Sequence, residues 1–288
     1  MPIFFIAVVA EIFLRKIPND YRIKQQYFEW HSAEIKVLFL GSSHAYYGIN
    51  PIYMKESSFN AAYVSQSLEI DYEILNKYKS SLKSLRTIIL PVSYFSLNSS
   101  MGNNGEGWRN KYYTIYYHLN MGYRPEDNLE ILNKFSLNWY KIVNYYFKHI
   151  SPVSSSSLGW GTHSSQSTKS LEETGREASG RHTGINPILY QENRKILDSI
   201  ILIAQRKNVR VLLYTPPAYS TYTRHLNVKQ LSELRNTMSS LTKNYNNTTY
   251  VDFLLDTSFV KADFYDADHL NDKGAKKLTI KLESLIKN

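Results

Sequence analysis

Residues 35–40 (Ile-Lys-Val-Leu-Phe-Leu) form a short, almost wholly apolar run that stops at Gly41. Such a run, ended by a turn residue, reads as a buried strand emptying into a tight turn. The unit recurs: a short run lies at 58–62, helical spacing follows at Leu68, Tyr72, Leu75, Tyr78 and Leu82, and a third strand over 86–90 is stopped by Pro91. Farther on come a helix over 187–207, periodic at Ile196, Ile200 and Ile203, a strand over 209–214, a helix over about 228–245, a strand over 249–253 and a last helix over 273–286. This alternation predicts an α/β fold, a three-layer flavodoxin-like sandwich around a parallel sheet of about five strands covered on both faces. Ligands bind such sheets at the carboxyl ends of the strands, so the loops after Leu40, Leu90, Tyr214 and Phe253 are expected along one edge.

The 288 residues fit one large domain with an inserted lobe. Between 95 and 186 the alternation breaks into a Gly/Asn-rich link (101–107), a Tyr/Trp-rich helical stretch (128–147) and a Ser-rich segment (151–170). The expected organisation is an N-terminal apolar helix and linker over 1–34, then an α/β domain over 35–288 carrying a helical or irregular insertion at about 95–186. Residues 3–14 are apolar except for Glu11, and fall short of the roughly 20 residues of a spanning helix. Two readings stay open: the remainder of a membrane anchor, giving membrane contact through 3–14, or an amphipathic or buried helix. Arg15 and Lys16 after the run would hold the bulk of the chain on the cytoplasmic side of an anchor.

The net charge of +9 favours an acidic partner, whether an anionic glycan, a membrane surface or nucleic acid. The basic residues are dispersed along the chain, which ranks nucleic acid last. The 24 tyrosines suit a groove for sugars or other flat polar ligands. The absence of cysteine excludes disulfides, zinc-thiolate sites and thiol nucleophiles. The eight histidines show no HExxH spacing, and no cation loop, dinucleotide fingerprint or P-loop is present, so neither a metal nor a cofactor is expected.

Two short segments carry chemistry. Gly41-Ser42-Ser43-His44 ends the first strand, where a glycine permits the turn and a hydroxyl reaches the rim; alone, it could equally be turn chemistry or a phosphate cradle. Before the last helix stands Tyr265-Asp266-Ala267-Asp268-His269-Leu270-Asn271-Asp272-Lys273-Gly274. An aspartate three residues before a histidine can orient the imidazole and stabilise its protonated form. The plainer alternative is that Asp272 caps the helix and His269 is a satisfied buried side chain. Both segments belong to the same expected sheet edge.

Together, Gly41-Ser42-Ser43 and Asp266-Ala-Asp-His269 resemble the SGNH (GDSL-like) hydrolase superfamily, in which the serine is the third residue of the first block and Asp and His lie three apart in the last. The resemblance covers roughly 35–95 and 187–288. The Gly-Ser-Ser-His and His-Leu-Asn-Asp-Lys-Gly forms are similar to envelope members linked with polysaccharide O-acetylation or D-alanyl transfer. It implies Ser43 as nucleophile, His269 as base, Asp266 as its orienter, and an oxyanion hole from the Ser43 and Ala62 N–H groups. Asn60-Ala61-Ala62 places alanine where the family has glycine, and Leu90-Pro91-Val92-Ser93-Tyr94-Phe95 lacks the third-block asparagine, for which Ser93 or Gln66 could substitute. Asp268, next to the histidine, is expected to face elsewhere. His44, Asn60, Gln66, Ser93, Tyr94, Arg181 and His182 are candidate substrate contacts, and His163 could also reach the site. The implied setting is the bacterial cell envelope, membrane-anchored with an extracytoplasmic domain, which conflicts with the charge reading at Arg15 and Lys16; the implied partner is a cell-surface glycan or an acyl donor. The implied activity is acyl-ester chemistry by transfer or hydrolysis; a non-catalytic envelope glycan-binding or assembly role is the alternative.

Overall fold

The computed structural model describes residues 2–103, 105–121, 124–162 and 167–286; His163 lies outside them. In chain order the elements are α1 (Pro2–Lys16), α2 (Asp20–His31), β1 (Val37–Phe39), α3 (Ser43–Tyr46), β2 (Ser58–Asn60), α4 (Leu68–Tyr78), β3 (Thr87–Pro91), α5 (Asn110–Tyr117), α6 (Phe135–Ile142), α7 (Leu171–His182), α8 (Pro187–Arg206), β4 (Arg210–Thr215), α9 (Ser220–Thr223), α10 (Val228–Asn244), β5 (Thr248–Asp252) and α11 (Asp272–Ile286). The chain divides into two compact units, Met1–Trp30 with Met101–Ser155, and His31–Ser100 with Ser156–Asn288. The segment expected as one insertion is therefore split: residues 101–155 belong with the N-terminal helices, and 156–186 with the sheet.

The larger unit holds a five-stranded sheet in the order β2-β1-β3-β4-β5, with every pairing parallel. This is the flavodoxin-like order. Leu38, Ile88, Ile89, Leu90 and Leu213 are fully buried, as apolar strands covered on both faces must be. Pro91 ends β3 as its last residue, in register with Tyr214. Its missing N–H falls on the β1 side, where pairing ends with Leu40 N–H donating to Ile89 O, so the ladder loses nothing.

Within the stretch expected as helical or irregular, residues 171–182 form helix α7. Ser170 Oγ accepts from Glu173 N–H at 3.1 Å, Glu172 and Glu173 sit in the first turn, and Arg181 and His182 in the last. The Ser170-Leu-Glu-Glu173 capping signature was the available signal. Gly175 lets α7 meet α9 closely, because a Cβ there would lie 2.5 Å from the Thr221 carbonyl carbon.

In the smaller unit the aromatic stretch is not one helix. A 3₁₀ turn (Glu130–Leu132) precedes α6, and a wider π turn (Val143–Phe147) follows it. Asp20 ties the start of α2 to the end of the lobe: its carboxylate accepts from the backbone N–H and hydroxyl of both Ser154 and Ser155, at 2.6–3.3 Å. No helix among the described residues is long and apolar enough to cross a membrane.

Candidate active site

The turn after β1 is held from below. Gly41 adopts φ +115°, where only glycine is unstrained, and a Cβ there would lie 2.4 Å from Pro91 Cγ. Its N–H donates to Asp71 Oδ1 at 2.7 Å, and Gln66 Nε2 donates to the same oxygen at 2.6 Å. Burial pushes the Asp71 carboxyl up to about 7, and these two donors work against that rise. Gln66, expected at the reaction centre, is instead buried as a brace for this turn. Ser43 opens α3 and stays half-exposed, so its hydroxyl is reachable.

The second segment is a tight hairpin-like loop. Phe264 bridges Leu270 antiparallel, and Tyr265 N–H donates to His269 O at 2.9 Å. Inside it, Asp266 Oδ1 accepts from the N–H groups of Asp268 (3.1 Å) and His269 (2.8 Å), which fixes the carboxylate before it meets the imidazole. Asn271 welds the loop to α11: its Oδ1 accepts from Lys273 and Gly274 N–H, and its Nδ2 donates to Ala262 O and Phe264 O. Asn271 therefore caps α11, the role considered for Asp272, whose carboxylate accepts from the Thr162 hydroxyl.

These segments meet at the sheet edge. His269 Nε2 lies 2.8 Å from Ser43 Oγ, and its Nδ1 lies 3.0 and 3.1 Å from the Asp266 oxygens. A proton on Nδ1 shared with Asp266 leaves Nε2 to accept from the serine, the geometry required for deprotonating a hydroxyl nucleophile.

Asp268 does not face elsewhere. The Asx turn at Asp266 reverses the chain, so strand-like alternation does not apply, and Asp268 is buried with Oδ1 3.6 Å from His269 Nδ1. Its Oδ2 lies 3.4 Å from His44 Nε2 and 3.9 Å from His182 Nδ1. Burial opposes its ionisation, but the three imidazoles hold the carboxyl well below the usual carboxylate range. For His269, burial would lower the pKa, but the charges of Asp268 and Asp266 outweigh it and push it up to about 9. Burial depresses His44, and pushes His182 down to about 3. One carboxylate thus sits among three imidazoles of which only His269 is driven toward its charged form.

The remaining candidates fall into place around this cluster. His44 Nδ1 lies 2.6 Å from Ser93 Oγ. With the neutral ring's proton on Nε2 toward Asp268, Nδ1 must accept, so the Ser93 proton is donated to His44 and is not left for an oxyanion. Ala62 N–H, expected in the oxyanion hole, donates to Asn60 Oδ1 at 3.1 Å. Ser43 N–H has no acceptor among the described residues. Asn60 is fully buried, with its Nδ2 donating to Ala45 O and Ile49 O, and cannot reach a substrate. Tyr94 is likewise buried, its hydroxyl accepting from Asn227 N–H and pairing with Thr183 Oγ1. His182 lies over Phe95 with ring centroids 4.2 Å apart and bonds the Tyr222 hydroxyl at 3.0 Å. Arg181 is exposed, with no hydrogen bond to Ser43, Asp266 or His269.

A cavity of about 10 Å³, lined in part by His44, Ser93, Thr215, Tyr222 and Asp268, lies behind the cluster. It has room for about one water. Ligand atoms of His44, Asp268 and His269 lie within 4.8 Å of one another. A metal taking all three would occupy one His269 nitrogen and so break its hydrogen bond to either Asp266 or Ser43.

No protein-family model and no curated protein matches the chain. Among solved structures it is similar to a protein from Streptococcus pneumonia provisionally described as a platelet activating factor (11% identity, 93% of this chain and 91% of that chain, TM-score 0.46). It is also similar to one from Bacteroides fragilis provisionally described as an acylhydrolase (11% identity, 91% and 95%, TM-score 0.45). A third is a GDSL-like lipase from Bacteroides thetaiotaomicron (13% identity, 93% and 96%, TM-score 0.43). In its own strand order, and in the meeting of Ser43, Asp266 and His269 at one sheet edge, the chain has the α/β fold implied by its resemblance to SGNH (GDSL-like) hydrolases.

Proposed function

We propose that the chain carries out serine-dependent acyl-ester chemistry, transferring or hydrolysing O-acetyl or related acyl groups of a cell-surface polysaccharide in the bacterial envelope. The observation that carries this reading is the continuous relay from Ser43 Oγ to His269 Nε2 at 2.8 Å and from Nδ1 to Asp266 at 3.0 Å. In the first step Ser43 Oγ bonds to the acyl carbon while its proton passes to Nε2. The carbon–oxygen bond to the leaving alcohol then breaks, and Nε2 returns the proton to that oxygen. In the second step a sugar hydroxyl or water gives its proton to Nε2 as its oxygen bonds to the acyl carbon, the bond from that carbon to Ser43 Oγ breaks, and Nε2 returns the proton to Oγ. The glycan assignment is supported by the tyrosine content and the +9 charge.

The oxyanion donors are depleted, which would slow transfer and hydrolysis alike, because both pass through the same kind of tetrahedral intermediate. Removing one such donor typically costs about 10²- to 10³-fold in turnover. Here the Ala62 N–H and the Ser93 hydroxyl are both engaged within the chain. The same depletion favours a second reading, a non-catalytic glycan-binding or assembly protein. Incubation with candidate acyl donors followed by mass spectrometry separates them: an acyl adduct on Ser43, absent from Ser43→Ala, supports the enzyme. The absence of any adduct or fluorophosphonate labelling, with glycan binding retained in Ser43→Ala, supports the binding protein.

A further inference from the structure

The smaller unit exposes apolar side chains on two adjoining elements. On α1, Phe4 (74% exposed), Phe5, Ile6, Ile12 and Phe13 face outward. On α6 and the turn after it, Phe135 (81%), Leu137, Trp139 (57%), Tyr140 and Phe147 (73%) do the same, and Phe135 stacks on Trp139 at 6.4 Å and 14°. The two elements are joined. Glu11 on α1 accepts from Glu130 and Ile131 N–H, Arg15 Nη2 donates to Asn128 O, and Phe13 meets Tyr146 edge-on at 5.4 Å. Water-soluble surfaces rarely leave so many large apolar side chains together without a partner.

Charge identifies the partner. Within 2–16 and 129–150 the acidic residues are Glu11 and Glu130. Both are turned inward: Glu11 is held by Arg15 and two backbone N–H groups, and Glu130, 1% exposed, by Tyr116 and Lys141. The exposed charges of these two segments are Lys16, Lys134 and Lys148, all basic. Phe, Trp and Tyr side by side with lysines is the composition that settles at the headgroup level of a bilayer, with rings at the acyl boundary and ammonium groups among phosphates.

We infer that the joined face of α1 and residues 129–150 is a docking surface for an anionic lipid bilayer. The aromatic segment contributes as much of this surface as the N-terminal helix. The inference is independent of the acyl chemistry proposed above.

The test is co-sedimentation of the intact chain with vesicles of phosphatidylglycerol and phosphatidylcholine, and with phosphatidylcholine alone. Binding is expected to the anionic vesicles and to weaken steeply in 1 M salt, where the Debye length is about 3 Å. Lys134→Glu/Lys148→Glu and, separately, Phe135→Ser/Trp139→Ser are each expected to weaken it at least about tenfold. All four positions are exposed, so circular dichroism should be unchanged in both variants. Failure of the unaltered chain to bind, or retention of binding in either variant, overturns the inference. Equal binding to phosphatidylcholine alone overturns the anionic assignment. A dimer in sedimentation velocity that Phe135→Ser/Trp139→Ser dissociates, without vesicle binding, assigns the face to a second copy instead.

Discussion

Asp268 Oδ1 lies 3.6 Å from His269 Nδ1, the nitrogen that already faces Asp266 at 3.0 Å. The candidate base therefore carries two carboxylates on one side. A single carboxylate orients an imidazole; a second adds charge, so the proton is bound more tightly than one partner would hold it.

This relationship sets the pH dependence. With His269 pushed up to about 9, its charged form is favoured at neutral pH, and only the neutral form can accept the serine proton. The rate constant kcat/KM for a chromogenic acetate ester is expected to rise with pH through about 9. Asp268→Asn removes the larger of the two charges that raise the group, so the rise should move to lower pH. An unchanged profile in a folded Asp268→Asn variant would show that Asp268 does not act on the base.

Asp266 has a different task, because its oxygens also take the Asp268 and His269 N–H groups. Asp266→Asn keeps the shape but offers an amide to Nδ1 in place of a carboxylate, which favours the wrong tautomer. A loss of about 10⁴-fold in kcat is expected, by analogy with the same change in a serine protease triad. Asp268→Asn should change kcat far less when each variant is assayed at its own optimum. Equal losses in the two would refute this division of roles.

Much of this arrangement was legible from the sequence because its causes are local. The run 35–40 and Gly41 announce the strand and turn, and the alternation of strand and helix places residues 41–44 and 266–269 on one edge. What was not legible depends on contacts distant in sequence. His44 meets Asp268 across 224 positions, and no spacing rule links them. Gln66 and Asn60 look like polar site residues in one dimension, yet Gln66 is spent on Asp71 and Asn60 on Ala45 and Ile49. Helix α7, which delivers His182, was signalled by its Ser170 cap but masked by the serine-rich segment before it.

Gly41 links fold to chemistry. Gly41→Ala must adopt a positive φ and push its Cβ against the Pro91 ring at 2.4 Å. The backbone strain alone is about 1–3 kcal/mol. Urea denaturation is expected to show a loss of at least that size, and labelling of Ser43 by a fluorophosphonate should fall in the fraction that remains folded. Unchanged stability would mean that the turn is not constrained in this way.

His182 makes the fold sensitive to acid. In the unfolded chain its pKa is near the ordinary 6.5, whereas burial beneath Phe95 and Tyr222 pushes the folded value down to about 3. Between these values the unfolded state binds the proton and the folded state does not, so folding free energy must decline as pH falls from 6.5 toward 3. His44, also depressed by burial, acts in the same direction. His269 works oppositely: its raised value contributes stability that is full below about 6.5 and is lost as pH rises through about 9. Urea midpoints measured from pH 4 to pH 10 are thus expected to peak between the two regimes. His182→Gln keeps a hydrogen-bonding side chain but cannot be protonated, and should flatten the acid limb while leaving the alkaline limb in place. An acid limb of unchanged slope in His182→Gln would exclude this histidine as its source.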